Sequence, residues 1–173
     1  MRKNVACITI TTDASFHPKH KTSGFAFQIV CDDFRIQHSG KFTVTPAAPH
    51  EAEIMCIGNA LAALLKVKNL PTAKYLVINT DSLIAIRFIR TAKYSTKYGK
   101  INNTQKVKKL WMDAINKICS KKNQFRHVKA HNTKDDKSKR AYVNDWCDKE
   151  SRKWMRIATK ELLQKLKEEK QNK

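Results

Sequence analysis

The sequence predicts an α/β fold: a five-stranded mixed sheet whose first three strands are antiparallel, with helices on both faces. Three observations carry this. The opening third of the chain alternates apolar and polar residues in short β-branched runs joined by tight turns. Between Glu51 and Lys66 the apolar residues shift to helical spacing. From Tyr75 onward strand-like and helix-like segments alternate, the pattern of a sheet with crossover helices on its faces.

Each element has its own signal. Residues 4–12, NVACITITT, are β-branched and partly alternating and read as a strand ending at Asp13. DASFHPKHKTSG, with Pro18 and Gly24, reads as a turn. In FAFQIVC, Phe25, Phe27 and Ile29 alternate with Ala26 and Gln28, giving a second strand. DDFRIQHSGKFTV follows a tight turn at Cys31-Asp32-Asp33 as a third, and such short connections make an antiparallel meander. In residues 51–66, Ile54, Ile57, Leu61, Leu64 and Leu65 mark a helix, with Pro49 just before it. NLPTAK breaks that helix; residues 75–79 form a fourth strand and residues 82–91 a short helix. AKYSTKYGKINN is polar and basic and carries Gly99, hence a loop or protrusion. Val107, Leu110, Trp111, Ala114, Ile115 and Ile118 define an amphipathic helix. FRHVKA is a fifth strand and HNTKDDKSKRAY a polar loop. A last helix runs from near Asn144 toward KLKEEKQNK, a charged tail expected to fray.

Composition narrows the function. A chain of 173 residues, 41% hydrophobic, is long enough to bury a sizeable core. Its net charge of +20, Lys+Arg 35 against Asp+Glu 15, points to a polyanionic partner, nucleic acid before an anionic membrane surface. A basic surface kept for solubility is the plain alternative. No apolar run reaches the roughly 18–20 residues that span a bilayer, and MRKNVACITITTDASF has no small-residue cleavage site. The expected location is therefore cytoplasmic, with no membrane partner. Cys7, Cys31, Cys56, Cys119 and Cys147 lack Cys-x-x-Cys spacing and read as reduced, small apolar residues.

Against this basic background the placement of a few acids is informative. Asp13 and Asp81 end the first and fourth strands; Glu53 lies in the opening turn of the first helix, and Asp148 near the start of the last. Each has an ordinary use: Asp81 as a helix N-cap, Glu53 and Asp148 near positive helix ends, Asp13 as a turn former. Together they occupy strand ends and helix starts, where open α/β sheets hold ligands. Converging carboxylates repel and need cations, and an oxygen-only set selects Mg²⁺ or Mn²⁺. Two such ions roughly 4 Å apart suit phosphodiester hydrolysis.

In order, TITTDAS, AEIMC, INTDS, VKAH and NDWCDKES resemble the ribonuclease H family, type 1 branch, over residues 4–154. The resemblance implies a ribonuclease H-like catalytic domain over residues 1–155, with residues 156–173 a basic C-terminal helix extension. It implies an endonuclease that cleaves the RNA strand of RNA–DNA hybrids, leaving 3′-hydroxyl and 5′-phosphate ends. By the same resemblance Asp13, Glu53, Asp81 and Asp148 bind two Mg²⁺ ions, with Mn²⁺ an alternative. His131 in VKAH aligns with a mobile-loop histidine that assists turnover, and Asn144 with an asparagine near the site. Glu51 competes with Glu53, but the apolar residue after the acid in EIMC favours Glu53; WCDKES favours Asp148 over Asp145.

Lys93, Lys97 and Lys100, interleaved with Tyr94 and Tyr98, occupy the position of the basic protrusion with which many type 1 members grip the DNA strand. Trp111, on the apolar side of its helix, reads as core. The chain departs from the family where an amide pair usually precedes the glutamate, here Ala48-Pro49-His50, and at Leu83, commonly polar. FHPKHKTSG replaces a glycine-rich first turn. These changes bear on the grip on the hybrid, not on the carboxylates. The expected assembly is a monomer, or a member of a replication assembly. The rival readings are an integrase- or resolvase-like nuclease of the same superfamily, and a non-cleaving nucleic-acid-binding subunit.

Overall fold

The computed structural model describes residues 3–90, 102–118, 122–128 and 139–172. The elements run β1 (Asn4–His17), β2 (Thr22–Val30), β3 (Arg35–Lys41), α1 (Pro49–Leu65), β4 (Thr72–Thr80), α2 (Leu83–Arg90), α3 (Asn102–Ile118), β5 (Lys122–His127) and α4 (Lys139–Gln171). The sheet order is β3-β2-β1-β4-β5; β1, β2 and β3 are antiparallel neighbours, while β4 lies parallel to β1 and β5 parallel to β4. This is the mixed sheet the sequence predicts.

The central strands carry their large apolar side chains on one face, two residues apart. Ile8 and Ile10 of β1, Phe27 and Ile29 of β2, and Leu76 and Ile78 of β4 are fully buried with Ile54, Ile57, Leu61 and Leu64 of α1. On one face α1 packs against β1, β2, α2 and α3. Gly58 lets α3 approach closely, since a Cβ there would sit 2.7 Å from Val107 Cγ2. Trp111 of α3 is buried, as its position predicts, with its ring centroid 4.8 Å from that of Phe125. On the other face α4 crosses β1, β2 and β3. The alternation of strand side chains puts Asp13 and Ser15, and their β2 partners Ala26 and Gly24, on this side. Gly24 is required there: a Cβ would meet Ser151 O at 2.2 Å and Met155 N at 2.5 Å.

Several boundaries differ from the sequence expectation. β1 continues past Asp13 to His17, because β2 starts at Thr22 and pairs with the polar residues that read as turn. β5 spans Lys122–His127 and so begins before Phe125, where the sequence reading starts it; residues 129 and 130 of that reading lie outside the described residues. Pro49 stands within the first turn of α1, where its missing N–H costs nothing. α4 starts at Lys139, within the expected polar loop, and continues through the tail to Gln171, so the helix does not fray after residue 164. Asp148 consequently lies roughly two and a half turns into α4, beyond the reach of its N-terminal dipole. Cys7, Cys31, Cys56 and Cys147 are free thiols, the last three buried; Cys119 lies outside the described residues. Among the described residues no helix is long and apolar enough to cross a membrane.

Candidate active site

The unequal lengths of the strand ladders create the site. The parallel β1–β4 ladder stops at Thr11↔Asn79, whereas the antiparallel β1–β2 ladder continues to His17↔Thr22. Asp13 thus projects from β1 just beyond the last β4 pairing, and Asp81 immediately follows β4. Glu53 approaches from α1 and accepts a 3.2 Å hydrogen bond from the Ala14 N–H. Asp13, Glu53 and Asp81 each offer a carboxylate oxygen, and these oxygens lie within 4.8 Å of one another.

Local contacts decide which acids have structural duties. The N-cap of α2 is Ser82, whose Oγ accepts the Ala85 N–H at 3.2 Å, so Asp81 does not cap the helix. The Asp81 carbonyl accepts from His127 Nε2 at 2.9 Å, tying the residue to the end of β5. Glu51 is buried, and its Oε2 accepts the Ala47 N–H at 2.6 Å, closing the turn into α1. Glu53 Oε2 is buried and has no hydrogen-bond partner among the described residues.

Asp148 stands outside the three-acid group. It forms an ion pair with Arg152 Nε at 2.8 Å, one turn further along α4, while Asp145 pairs with Lys149 in solvent. Asn144, one turn before Asp148, is buried, and its Oδ1 has no hydrogen-bond partner among the described residues. Ser151, which the sequence reading did not single out, is fully buried and donates from Oγ to Asp13 Oδ2 at 2.5 Å. Its spacing of three from Asp148, on the same helical face, was the available signal. His131, Lys93, Lys97 and Lys100 lie outside the described residues.

The electrostatics follow from burying acids together. Burial raises the Asp13 carboxyl from 3.8 to about 7; the Ser151 hydrogen bond and Arg152 act against this, and Asp81 and Asp148 add to it. Glu53 is pushed well above the usual carboxylate range, first by burial, then by Asp13 and Asp81; the Ala14 N–H opposes this. Such a group holds protons until a cation replaces them. Its donors are all carboxylate oxygens, one of them buried without a partner, which fits a hard divalent ion.

The RNase H family model matches residues 6–156. The chain is similar in structure to RNase H1 from the halophilic archaeon Halobacterium salinarum NRC-1, with a TM-score of 0.56 at 14% identity, covering 88% of this chain and 100% of that one. It is likewise similar to LC11-RNase H1, isolated from compost by a metagenomic approach, with a TM-score of 0.53 at 15% identity over 88% and 98% of the two chains. At these identities the two structures bear on the fold alone. Among curated proteins, none matches.

Proposed function

Because the chain belongs to the RNase H family, and is by that membership a hydrolase of the ribonuclease H kind, we propose that it is an endonuclease that cuts the RNA strand of RNA–DNA hybrids and leaves 3′-hydroxyl and 5′-phosphate ends. The observation that carries this reading is the convergence of Asp13, Glu53 and Asp81 within 4.8 Å, in a chain whose net charge is +20. Asp13, Glu53, Asp81 and Asp148 are the proposed ligands for two Mg²⁺ ions, for which Mn²⁺ is a substitute. Bound there, the ions would lower the pKa of the attacking water and stabilise the departing oxygen.

The chain's own groups set up that chemistry. Ser151 fixes one oxygen of Asp13, and the Ala14 N–H fixes one oxygen of Glu53, so both carboxylates are held in a single orientation. Arg152 pairs with Asp148, whose charge reaches Asp13 from outside the three-acid group. Glu53 is also the proposed contact to the ribose 2′-hydroxyl, the group that distinguishes RNA from DNA. His131 is assigned to turnover, Lys93, Lys97 and Lys100 to backbone phosphates, and Asn144 to the substrate. Residues 1–155 are the proposed catalytic domain and residues 156–173 its basic helical extension.

The test is cleavage of end-labelled RNA–DNA hybrid, RNA duplex and DNA duplex with Mg²⁺ or Mn²⁺. The hybrid is cut in its RNA strand to 5′-phosphate products. Asp81→Asn abolishes turnover and leaves hybrid binding close to wild type. Preferential cutting of a four-way junction, or undiminished turnover in Asp81→Asn, would overturn the reading.

A further inference from the structure

The C-terminal half of α4 and the end of β1 enclose a groove of about 460 Å³, lined by His17, Met155, Arg156, Thr159, Lys160, Leu163, Gln164 and Lys167. Most of that lining lies beyond residue 156, where the family match ends. Thr22 Oγ1 and Thr159 Oγ1 are 2.5 Å apart, and Lys41 pairs with Glu161, so this half of α4 is anchored to β2 and β3.

The charges along α4 divide sharply. Near the acid group the cations are compensated: Lys149 by Asp145, Arg152 by Asp148, and Lys153 by Glu150. In the groove, Arg156, Lys160 and Lys167 are exposed, and no carboxylate among the described residues lies within ion-pair distance of them. Among the described residues no acid lines the groove. Glu168, one turn beyond Gln164, accepts from Gln164 Nε2 at 2.7 Å. The β1–β2 turn adds exposed Lys19 and Lys21 immediately after His17.

These cations also share a direction. Arg152, Arg156 and Lys160 follow at intervals of four, and Lys167 completes the stripe one heptad on. From Arg152 to Lys167 the row runs about 22 Å, or about six nucleotide steps along one strand. It begins at the ion-pair partner of Asp148 and leads away from the acids.

We propose that this groove holds the phosphodiester backbone of the same nucleic acid that reaches the carboxylates, about two to six nucleotides beyond Arg152. The proposal deepens the nuclease reading and rests on it for the identity of the substrate. Beyond Arg152, the three cations Arg156, Lys160 and Lys167, with no carboxylate in ion-pair distance among the described residues, lie on one helix and match a regularly charged strand. Met155 and Leu163 are the two aliphatic side chains among the eight that line the groove, against three cations, which favours a charged strand over an apolar protein segment.

The experiment measures binding, in EDTA, of fluorescent RNA–DNA hybrids of about 8 and about 20 base pairs; the shorter reaches the groove only when bound with one end at the carboxylates, the longer in most registers. The combined variant Arg156→Gln, Lys160→Gln, Lys167→Gln is compared with wild type and with Lys66→Gln, Lys68→Gln, Lys74→Gln, an equal charge change at the far end of the sheet. Circular dichroism and melting establish that both variants are folded. The groove variant is expected to bind the long hybrid about tenfold more weakly or worse, with a salt slope smaller by about two to three, and to lose less affinity for the short one. The remote variant is expected to keep most of the affinity for both. Equal weakening by both variants, or unchanged binding of the long hybrid, would overturn the proposal. So would groove-dependent capture of polyglutamate without any effect on the hybrid. Because no cleavage is needed, a protein that binds through the groove yet cuts no hybrid refutes the nuclease reading alone.

Discussion

Ser151 and Asp13 are joined by a hydrogen bond of 2.5 Å across 138 positions of sequence, and it couples the middle of α4 to the centre of the sheet. Ser15 Oγ lies 3.0 Å from the same hydroxyl, so a short chain of donors ends on the Asp13 carboxylate. The bond favours the charged form of Asp13 against burial. Ser151→Ala removes it without adding bulk. The acid limb of the pH–rate profile should move to higher pH, and the Mg²⁺ concentration for half-maximal activity should rise. Stability should fall by roughly 1.5–3 kcal/mol, as for a hydrogen bond to a charged group. An unchanged pH profile and metal titration would reduce Ser151 to packing.

The burial of Asp13 makes stability depend on pH in a stated direction. Its carboxyl titrates at about 7 in the folded chain against 3.8 ordinarily, so between those values the folded state holds a proton that the unfolded chain releases. Stability without divalent ions is therefore greatest at the acid end of this window and falls as pH rises through it. Glu53 is displaced in the same direction. Mg²⁺ binds the ionised form, so its stabilising effect grows over the same interval. Melting curves in EDTA and in Mg²⁺ should diverge as pH rises toward 7.5 (about half a unit above the Asp13 midpoint). Asp13→Asn should flatten the EDTA curve and shrink the divergence. A wild-type Mg²⁺ increment independent of pH would contradict the coupling.

Gly24 offers a way to move α4 without touching an acid. A Cβ there would meet Ser151 O at 2.2 Å, Met155 N at 2.5 Å and Trp154 Cβ at 2.7 Å, two of them backbone atoms that cannot rotate aside. Gly24→Ala should therefore cost about 3 kcal/mol or more, the upper end for overpacking. Because Asp148 and Ser151 ride on the displaced helix, activity per folded molecule should fall too. Gly58→Ala is the control: it meets the Val107 side chain at 2.7 Å, on the opposite face. It should lower the denaturation midpoint while leaving turnover near wild type. Equal activity losses in the two variants would mean that the position of α4 is not what matters.

The sequence reveals most where a pattern repeats and least where a single partner decides. Ile8, Ile10, Phe27, Ile29, Leu76 and Ile78 alternate because their faces are covered, and that alternation gives the sheet. Ser15 and His17 carry no such pattern, and they are strand only because Thr22 and Gly24 pair with them. Lys122, Asn123 and Gln124 are hidden in the same way at the sheet edge. In the site, the acids at or beside element ends are legible from position and the family pattern. The division of labour is not: Glu51 against Glu53 turns on which one meets the Ala47 N–H, and Asp81 is spared capping by the rotamer of Ser82.

That division of labour gives the sharpest pair of variants, because two acids on one helix turn should respond oppositely. Glu51 Oε2 accepts the Ala47 N–H at 2.6 Å, and Gln in its place keeps an acceptor but loses the charge. Glu51→Gln should lose roughly 0.5–1.5 kcal/mol of stability, with or without Mg²⁺, and retain turnover. Glu53 has one oxygen held by the Ala14 N–H and the other buried with no partner among the described residues. Its ionised form is disfavoured by burial and by Asp13 and Asp81. Glu53→Gln keeps the shape and removes the charge, so in EDTA near neutral pH its melting temperature should equal or exceed wild type. It should lose the Mg²⁺ increment and turnover together, since an amide is a poor ligand for a hard cation. Melting of both variants in EDTA and in Mg²⁺, paired with hybrid cleavage, reads all four numbers. If Glu51→Gln were the variant to lose the Mg²⁺ response, the ligand would be Glu51, and the three-carboxylate site would have to be redrawn around it.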